Sequence, residues 1–510
     1  MWYKFVDFLD SIVNGVTMYR LLLYYLLSIA AGTIILSIVG DMNYKPIQIA
    51  IEMAVIVAAC YVINKILAYI FVAPLNPESS ILTGLILALI IPPSTANYGI
   101  LFYLAASGLA MASKYILSIR EKHIFNPAAI AVVLTAFGAH QHASWWIGSA
   151  AILPVVIIGG ILVLRKLRRE HMFIVFLVVT ALTTAILSVV SGASAIVGLK
   201  NMVLASPVFF LGFVMLTEPY TSPTTAKQQM IYGALVGFLL APQVHLFSFY
   251  TTPEIALIIG NLYAYIVSNK TKLFPVFADR FEVAKNILEF KFAPDAELAY
   301  KPGQYMEWTF PHKPMDSRGA RRWFTLSSSP TEEDISIGIK FYEDGSTFKE
   351  AMLSMDSSSS IVAGQLAGDF VMPKDQSKKL VFIAGGIGVT PFRSMIKYLV
   401  DTGEKRSVRM FYAASSEDEL AYRDVFEDAR RELGIQTMYV VTGNNSVVRG
   451  RHTIKGKITE NLIEQYIPDL EECIFYISGT HGMVEDMTAG LRDLGVHSRN
   501  IKTDYFSGYA

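Results

Sequence analysis

The residues whose types and spacing suit chemistry stand in four short strings of the C-terminal half. The first is Leu380–Met395, LVFIAGGIGVTPFRSM, an apolar run followed by a glycine cluster and then Thr390-Pro391. A β-branched, aromatic run bounded by glycines predicts a buried parallel strand, and a turn opening directly into a helix aims backbone N–H groups at an anion. The expected ligand is a dinucleotide pyrophosphate. Gly385, Gly386 and Gly388 permit a tight turn and close backbone approach, and Pro391 suits a first helical turn, where its missing N–H costs nothing. Glycine turns before helices are common in α/β proteins, so the assignment depends on the other strings.

The second string is Arg321-Arg322-Trp323-Phe324-Thr325-Leu326-Ser327. On a strand Arg322 and Phe324 share one face and Thr325 points oppositely, so charge pairing with a diphosphate, ring stacking and a hydroxyl hydrogen bond at flavin N5 come from neighbouring residues. In the third, a strand through Gly338, Lys340 and Tyr342 runs into Gly345-Ser346-Thr347-Phe348, a turn and helix start whose N–H groups suit a second phosphate. Lys340 is counted with the cofactor-binding residues. The fourth is Ser478-Gly479-Thr480-His481-Gly482-Met483, again a turn opening a helix, with His481 read as an ordinary loop residue.

The elements that must hold these strings differ along the chain. Phe277 to about Met372 alternates in short strands broken by Gly, Pro and Asp, which predicts a small antiparallel β-barrel. Beyond Pro373 the pattern is strand 380–384, a helix from about 391, strand 408–414, helix 420–433, and strands 437–441 and 473–477. That alternation is an α/β domain with a parallel sheet, its glycine turn following the first strand. Ser415-Ser416-Glu417-Asp418-Glu419 follows strand 408–414. Acidic groups there repel a 2′-phosphate and accept from a ribose hydroxyl, so NADH is expected over NADPH. Arg423 and Arg449 are the cations within reach. Phe506 or Tyr509 covering the flavin ring, with Asp504 nearby, and simple docking of the C-terminal tail are both open readings.

Residues 18 to about 270 have another composition, long apolar runs with few charges, and predict a polytopic α-helical membrane domain of ten spans: 18–40, 46–73, 80–91, 97–117, 124–138, 144–164, 171–191, 202–218, 228–247 and 253–269. Basic clusters at 118–123, 165–170 and 270–272 fall on one side with Arg20, so both ends and the reductase half are expected in the cytoplasm and the chain in the cell (inner) membrane. No cleavable leader is read in residues 1–19. The expected domains are therefore 1–272 in the membrane, a flavin-binding barrel at 273–373 and a nicotinamide-nucleotide domain at 374–510. With Lys+Arg and Asp+Glu both 43, the neutral chain points to no nucleic acid. Two cysteines, Cys60 and Cys473, cannot by themselves build a disulfide framework, a zinc site or an iron–sulfur cluster. His123, His140, His142, His171 and His245 lie near span ends without pairing inside one helix, so haem is not expected, and no metal site is.

The third span stops at Pro92-Pro93 and the eighth at Glu218-Pro219, while the fifth opens with Asn126-Pro127 and the tenth with Pro253-Glu254. Broken spans at matching positions suggest two inverted five-helix repeats with a site where the breaks meet, lined by Asn126, Glu218, Thr221, Thr224 and Thr225. An equal reading is that proline kinks and polar span ends simply meet headgroups.

Two resemblances follow from these strings. The FNPAA run at 125–129, TEPYTSP at 217–223 with Tyr232-Gly233, and PEIALIIGN at 253–261 resemble the flavin-carrying membrane component of sodium-translocating NADH:quinone reductase and its counterpart in the Rnf complex. The resemblance implies the inverted-repeat fold, membrane-bound flavin and a quinone site. Those proteins hold FMN on the Thr of an SGAT-type sequence after the fifth span; here that segment is GAHQHAS, 138–144, and the nearest string, Ser191–Ser194, reads as a polar turn. A non-covalent FMN or riboflavin is the form left open. RWFT, GGIGVTP, YISGTHGM and the C-terminal DYFSGY resemble the ferredoxin–NADP reductase superfamily. That resemblance implies FAD held by Arg322, Phe324 and Thr325, with Gly345, Ser346 and Thr347 at its pyrophosphate. It puts the nicotinamide nucleotide on Gly385, Gly386, Gly388, Thr390 and Pro391, and Gly479 beside the nicotinamide. Phe324 stands where the family often has Tyr, and Ser478 where it commonly has Cys; slower hydride transfer is expected. Thr325, Ser478 and Gly479 are the catalytic assignments.

The functional expectation is a membrane-bound flavin oxidoreductase passing electrons from cytoplasmic NADH through FAD to a flavin or quinone acceptor in or across the membrane, with lipid and further electron-transport subunits as partners. Two alternatives stand beside it. One is an electron-transfer-coupled Na+/H+ transporter using Glu52, Lys65, Glu218 and Glu254; the other is a membrane-anchored NAD(P)H:flavin or ferredoxin-type reductase.

Overall fold

The computed structural model describes residues 13, 16–71, 77–94, 97–119, 122–242, 244–246, 249–268, 272–316, 319–343, 345–443 and 452–505. The chain forms two compact units, Met1–Lys270 and Thr271–Ala510.

The first unit is helical and packed inside-out. Helix Glu170–Val190 buries Thr180, Thr184 and Ser188 one turn apart, while Ile174, Val178, Leu182 and Ile186 are exposed. A helix that turns its hydroxyls inward and its aliphatic side chains outward is matched to lipid, where interior hydroxyls bond to neighbouring backbone. Thr180, for instance, donates to Phe176 O at 2.8 Å.

Among the described residues four helices are long and apolar enough to cross a membrane: Met18–Val39, Pro46–Ile70, Gly99–Ile116 and Glu170–Val190. The pair Ala195–Leu204 and Val208–Leu216, bent by 59°, makes a fifth. The other apolar helices are Pro77–Ile90, Pro127–Ala139, Leu153–Leu167, Ala226–Leu240 and Pro253–Val267, of 13 to 15 residues. At 1.5 Å per residue they reach only about 22 Å against a hydrocarbon core of about 30 Å. By length the ten expected spans are thus four or five crossings plus shorter helices. Proline sets several of the limits. Pro77–Ile90 stops before Pro92, Ala226–Leu240 before Pro242, and the bent pair breaks at Pro207. The expected span 144–164 begins only at Leu153, because Ser144 and Trp145 donate their N–H groups to Ile90 O at 3.0 and 2.9 Å and so cap helix Pro77–Ile90.

In the second unit six antiparallel strands surround one core, but they pair as two three-stranded sheets. One is ordered Val362–Ala367, Tyr305–Thr309, Arg321–Thr325 and the other Val276–Ala284, Ile287–Ala293, Ile335–Lys340. The expected barrel is not closed by hydrogen bonds among the described residues; register shifts at 277/279, 282/284 and 364/367 interrupt its ladders. Phe290, Phe292, Trp308 and Phe348 fill the space between.

A six-stranded parallel sheet follows, ordered Thr453–Lys455, Gln436–Val441, Val408–Ala414, Lys379–Gly385, Cys473–Gly479, Ile501–Tyr505. The order reverses between Lys379–Gly385 and Cys473–Gly479. That reversal opens a crevice beyond the carboxyl ends of those two strands, where ligands of such sheets bind.

Candidate functional site

The glycine turn lies at this crevice. Strand Lys379–Gly385, buried along its length by parallel pairing on both sides, gives way to a single 3-10 turn, Gly386–Val389, and then to helix Thr390–Thr402 with Pro391 in its first turn. Gly386 has φ +54°, and a Cβ on Gly388 would stand 2.5 Å from Ser478 O and 2.6 Å from Gly479 N. The two turns touch through backbone, so neither tolerates a larger residue. Ser478 is fully buried, and its hydroxyl has no hydrogen-bond partner. Asp504 stands opposite Ser478 in the edge-strand register, whereas Phe506 and Tyr509 lie outside the described residues.

On strand Arg321–Thr325 the expected alternation is present. The Arg322 guanidinium sits 5.0 Å over the Phe348 ring, and Phe324 packs on the same ring at 6.1 Å. Arg322 is held by Gly319 O at 3.0 Å and Arg321 O at 2.7 Å. Thr325 points to the other side, is 3 % exposed, and its hydroxyl has no hydrogen-bond partner. Two buried, unpartnered hydroxyls, one on each side, together with turns that leave backbone bare, fit a flavin and a nicotinamide nucleotide.

Some expected site residues are engaged elsewhere. Lys340 pairs with Glu419 at 2.7 Å, both side chains more than four-fifths buried, so its charge is neutralised within the protein. That carboxylate would compete with a cofactor phosphate for it. The same pair occupies one member of the acidic stretch. Thr347 N–H donates to Asp316 Oδ2 at 3.1 Å, and the Ser346 hydroxyl accepts from Lys349 N as the helix cap; Gly345 precedes them. These two groups are satisfied internally here, in place of the free donors expected for a phosphate. Phe348, the ring beneath Arg322 and Phe324, is the contributor that strand periodicity could not reveal. Arg423 stacks on Tyr439 at 5.1 Å, and Arg449 lies outside the described residues. Burial pushes the Tyr439 hydroxyl up to about 12, so it stays protonated beside that guanidinium.

In the helical unit the breaks at Asn126 and Glu218 do meet. Asn126 caps helix Pro127–Ala139 through Ala128 N and Ala129 N, and its amide donates to Glu218 Oε2 at 2.7 Å. Thr221 Oγ1 donates to the same oxygen at 2.9 Å. Asn261, not singled out from sequence, accepts from Asn126 N at 2.9 Å and donates to Thr221 O and the Tyr232 hydroxyl, both at 3.0 Å. Arg169 bonds Ser222 and the Thr217 carbonyl in the same knot. Beside it lies a cleft with a cavity volume of about 50 Å³, walled by Leu22, Leu82, Ile86, Val163 and Val214, with Asn126, Thr217 and Glu218 among its polar lining. Thr224 and Thr225 are not in its wall. Pro223 turns the chain away, and Thr225 bonds Gln228 at 2.8 Å at the start of the next helix. Ser191–Ser194 is a turn between helices, with Gly192 at φ +79°.

Residues 136–272 match the NQR2, RnfD, RnfE family, and residues 382–489 match the oxidoreductase NAD-binding domain. The C-terminal half is also similar to flavohemoproteins. The one from Rhodopirellula baltica is 26 % identical over 47 % of this chain and 61 % of its own length, and that from Deinococcus radiodurans 26 % over 44 % and 58 %. The chain therefore spans about three-fifths of those relatives. Among solved structures, the FAD/NAD-binding domain of a nitric oxide dioxygenase from Vibrio cholerae aligns over 46 % of this chain and 98 % of its own, with 21 % identity and a TM-score of 0.41.

Proposed function

We propose that the chain is an NAD(P)H-dependent FAD oxidoreductase that takes hydride from NADH and delivers electrons to a flavin or quinone acceptor in the membrane unit, a reading supported by the match of residues 136–272 to the NQR2, RnfD, RnfE family and of residues 382–489 to the oxidoreductase NAD-binding domain. The observation that carries this reading is the pair of buried, unpartnered hydroxyls, Thr325 on the flavin strand and Ser478 beside the glycine turn. FAD, when bound, supplies the hydride acceptor and the step from two-electron to one-electron transfer. With FAD bound, Arg322 would neutralise the diphosphate, Phe324 would stack on the ring system, and Thr325 would donate a hydrogen bond from its hydroxyl at N5. Gly385, Gly386, Gly388, Thr390 and Pro391 cradle the nicotinamide nucleotide on bare backbone, and Gly479 leaves room for its ring. Ser478, shut off from solvent, offers the remaining hydroxyl. Glu417 and Asp418 favour NADH over NADPH by repelling a 2′-phosphate.

The acceptor pocket is the cleft at Asn126 and Glu218, and the reductase half faces the cytoplasm, as the basic loops at 118–123 and 165–170 favour. Anaerobic NADH added to the full-length protein should bleach the FAD absorbance, and acid extraction should count the flavins. A second flavin, released as FMN or riboflavin, identifies the pocket's occupant, and FAD alone directs electrons to quinone. A chain whose FAD is not bleached by NADH ends the proposal.

One observation favours a second reading, ion movement coupled to this electron transfer. Glu52 on helix Pro46–Ile70 is fully buried, and neither carboxylate oxygen has a hydrogen-bond partner. Lys65 on the same helix is exposed, and Glu254 accepts from Trp145 Nε1 at 2.8 Å. NADH oxidation in sealed proteoliposomes that is independent of Na+ and of pH gradients would dismiss it.

A further inference from the structure

We propose that Arg393 and Ser394 are positioning residues for hydride transfer, clamping the nucleotide turn to the strand that carries Thr325. The inference rests on the placement of the flavin and the nicotinamide nucleotide proposed above. Arg393 and Ser394 are the fourth and fifth residues of helix Thr390–Thr402, which follows the glycine turn directly, and both are buried. Arg393 Nη1 donates to Ser327 O at 3.1 Å, and Ser394 Oγ donates to Ser328 O at 2.5 Å. Those carbonyls follow Thr325 by two and three residues. Two donors on adjacent helix residues meeting two successive carbonyls fix both the translation and the rotation of one segment against the other.

The clamp is braced from several sides. Arg393 Nη2 meets Glu332 Oε1 at 2.9 Å while Nη1 meets the other carboxylate oxygen, which also accepts from Ser329 N at 2.6 Å. Ser327 Oγ donates to Glu289 Oε1 at 2.7 Å, and burial raises the Glu289 carboxyl above its ordinary range, with the Arg393 charge opposing. The Tyr422 ring lies 5.8 Å from the guanidinium. Steric fit supplies a second, independent contact. A Cβ on Gly338 would run into the Tyr422 hydroxyl and stand 2.9 Å from Thr390 Cγ2, so only glycine lets strand Ile335–Lys340 lie against the turn. A packing role alone would be served by apolar side chains, which often replace buried ion pairs without loss. Here the Arg393 Nη1, Nη2 and Ser394 Oγ donors end on the backbone beside Thr325 or on the carboxylate that braces it, while Arg393 Nε is left without a partner, and misplacement by about 1 Å can cost on the order of 10²-fold in rate.

The test uses the full-length protein in detergent, comparing Arg393→Met, Arg393→Lys, Ser394→Ala and Gly338→Ala with the parent. Four quantities are read: FAD content, NAD+ affinity, the stopped-flow rate of flavin bleaching by NADH, and amide hydrogen exchange at residues 326–329 and 385–389. In Arg393→Met the bleaching rate should fall about tenfold or more, with a larger isotope effect from 4-deuterated NADH and with FAD content and NAD+ affinity kept within about twofold. Arg393→Lys should recover part of the rate. Ser394→Ala and Gly338→Ala should show the same split, which keeps the test decisive if Arg393→Met fails to fold. Exchange should rise in both segments together. An unchanged rate, or FAD content and NAD+ affinity falling in step with it, overturns the proposal. If the parent itself is not bleached by NADH, the underlying site assignment has failed. The exchange experiment then still decides whether the two segments are clamped.

Discussion

Replacing Gly388 by Ala is the sharpest perturbation of the nucleotide site. The new Cβ would lie 2.5 Å from Ser478 O and 2.6 Å from both Gly479 N and Ser478 C, nearly an ångström inside ordinary contact. All three atoms are backbone of a central parallel strand, so no side chain can rotate away and the turn itself must move. Overpacking of this kind typically costs about 1–3 kcal/mol. The larger effect is on function: a turn displaced by about 1 Å no longer places its N–H groups against a pyrophosphate, and rates fall on the order of 10²-fold. Gly364→Ala is the control, since its Cβ would have only the Lys272 side chain nearby, at 3.7 Å, and it lies outside the residues assigned to either cofactor. The assay is anaerobic stopped-flow bleaching by NADH at several concentrations, with FAD content measured in parallel. Gly388→Ala should keep its FAD and lose at least about tenfold in second-order rate constant, and Gly364→Ala should stay within about twofold. Equal behaviour of the two variants would refute the argument that the turn is held by backbone contact at Ser478.

Ser478→Ala removes a hydroxyl with no partner, so the unfolding midpoint should not fall while hydride transfer slows severalfold; destabilisation by more than about 1 kcal/mol would mean the hydroxyl is satisfied after all. Arg322→Ala loses the guanidinium over Phe348 and should lower FAD content in the purified protein, which extraction and absorbance will show. Asn126→Ala removes both a helix cap, worth about 1 kcal/mol, and a donor to Glu218. It should reduce quinone-linked turnover while leaving NADH-dependent ferricyanide reduction intact. Glu289 carries a carboxyl whose pKa burial raises. Its contribution to stability is therefore complete below the ordinary carboxylate pKa and is lost as pH rises through the raised one. Glu289→Gln should flatten that decline in calorimetric scans across pH, and an unchanged slope would reject it.

The reductase half is largely legible in the sequence because its signals are local. A continuous apolar run ending in glycines is a buried parallel strand wherever it occurs, and strand 380–384 is found as Lys379–Gly385. Edge strands Thr453–Lys455 and Ile501–Tyr505 give no such signal, being short or rich in polar residues, since one side of each is unpaired. The pairing of Lys340 with Glu419 is not legible in the sequence, because only the fold brings the two together. In the membrane half, composition announces lipid but not span length: proline ends several helices before they reach about 30 Å. Asn126, Glu218 and Thr221 can be grouped because proline marks their breaks. Asn261 and Tyr232 are single polar residues on apolar helices, with no periodicity to set them apart, although both stand inside strings that carry the family resemblance.

The central claim is that electrons from NADH reach the membrane unit through the pocket at Glu218. The most direct measurement compares the full-length protein with its Glu218→Ala variant in lipid nanodiscs, following NADH oxidation with quinone and with ferricyanide. Loss of at least about tenfold in the quinone rate, with the ferricyanide rate unchanged, is the predicted result. Equal quinone rates in the two proteins, at equal flavin content, would contradict the account and leave the helical unit as an anchor.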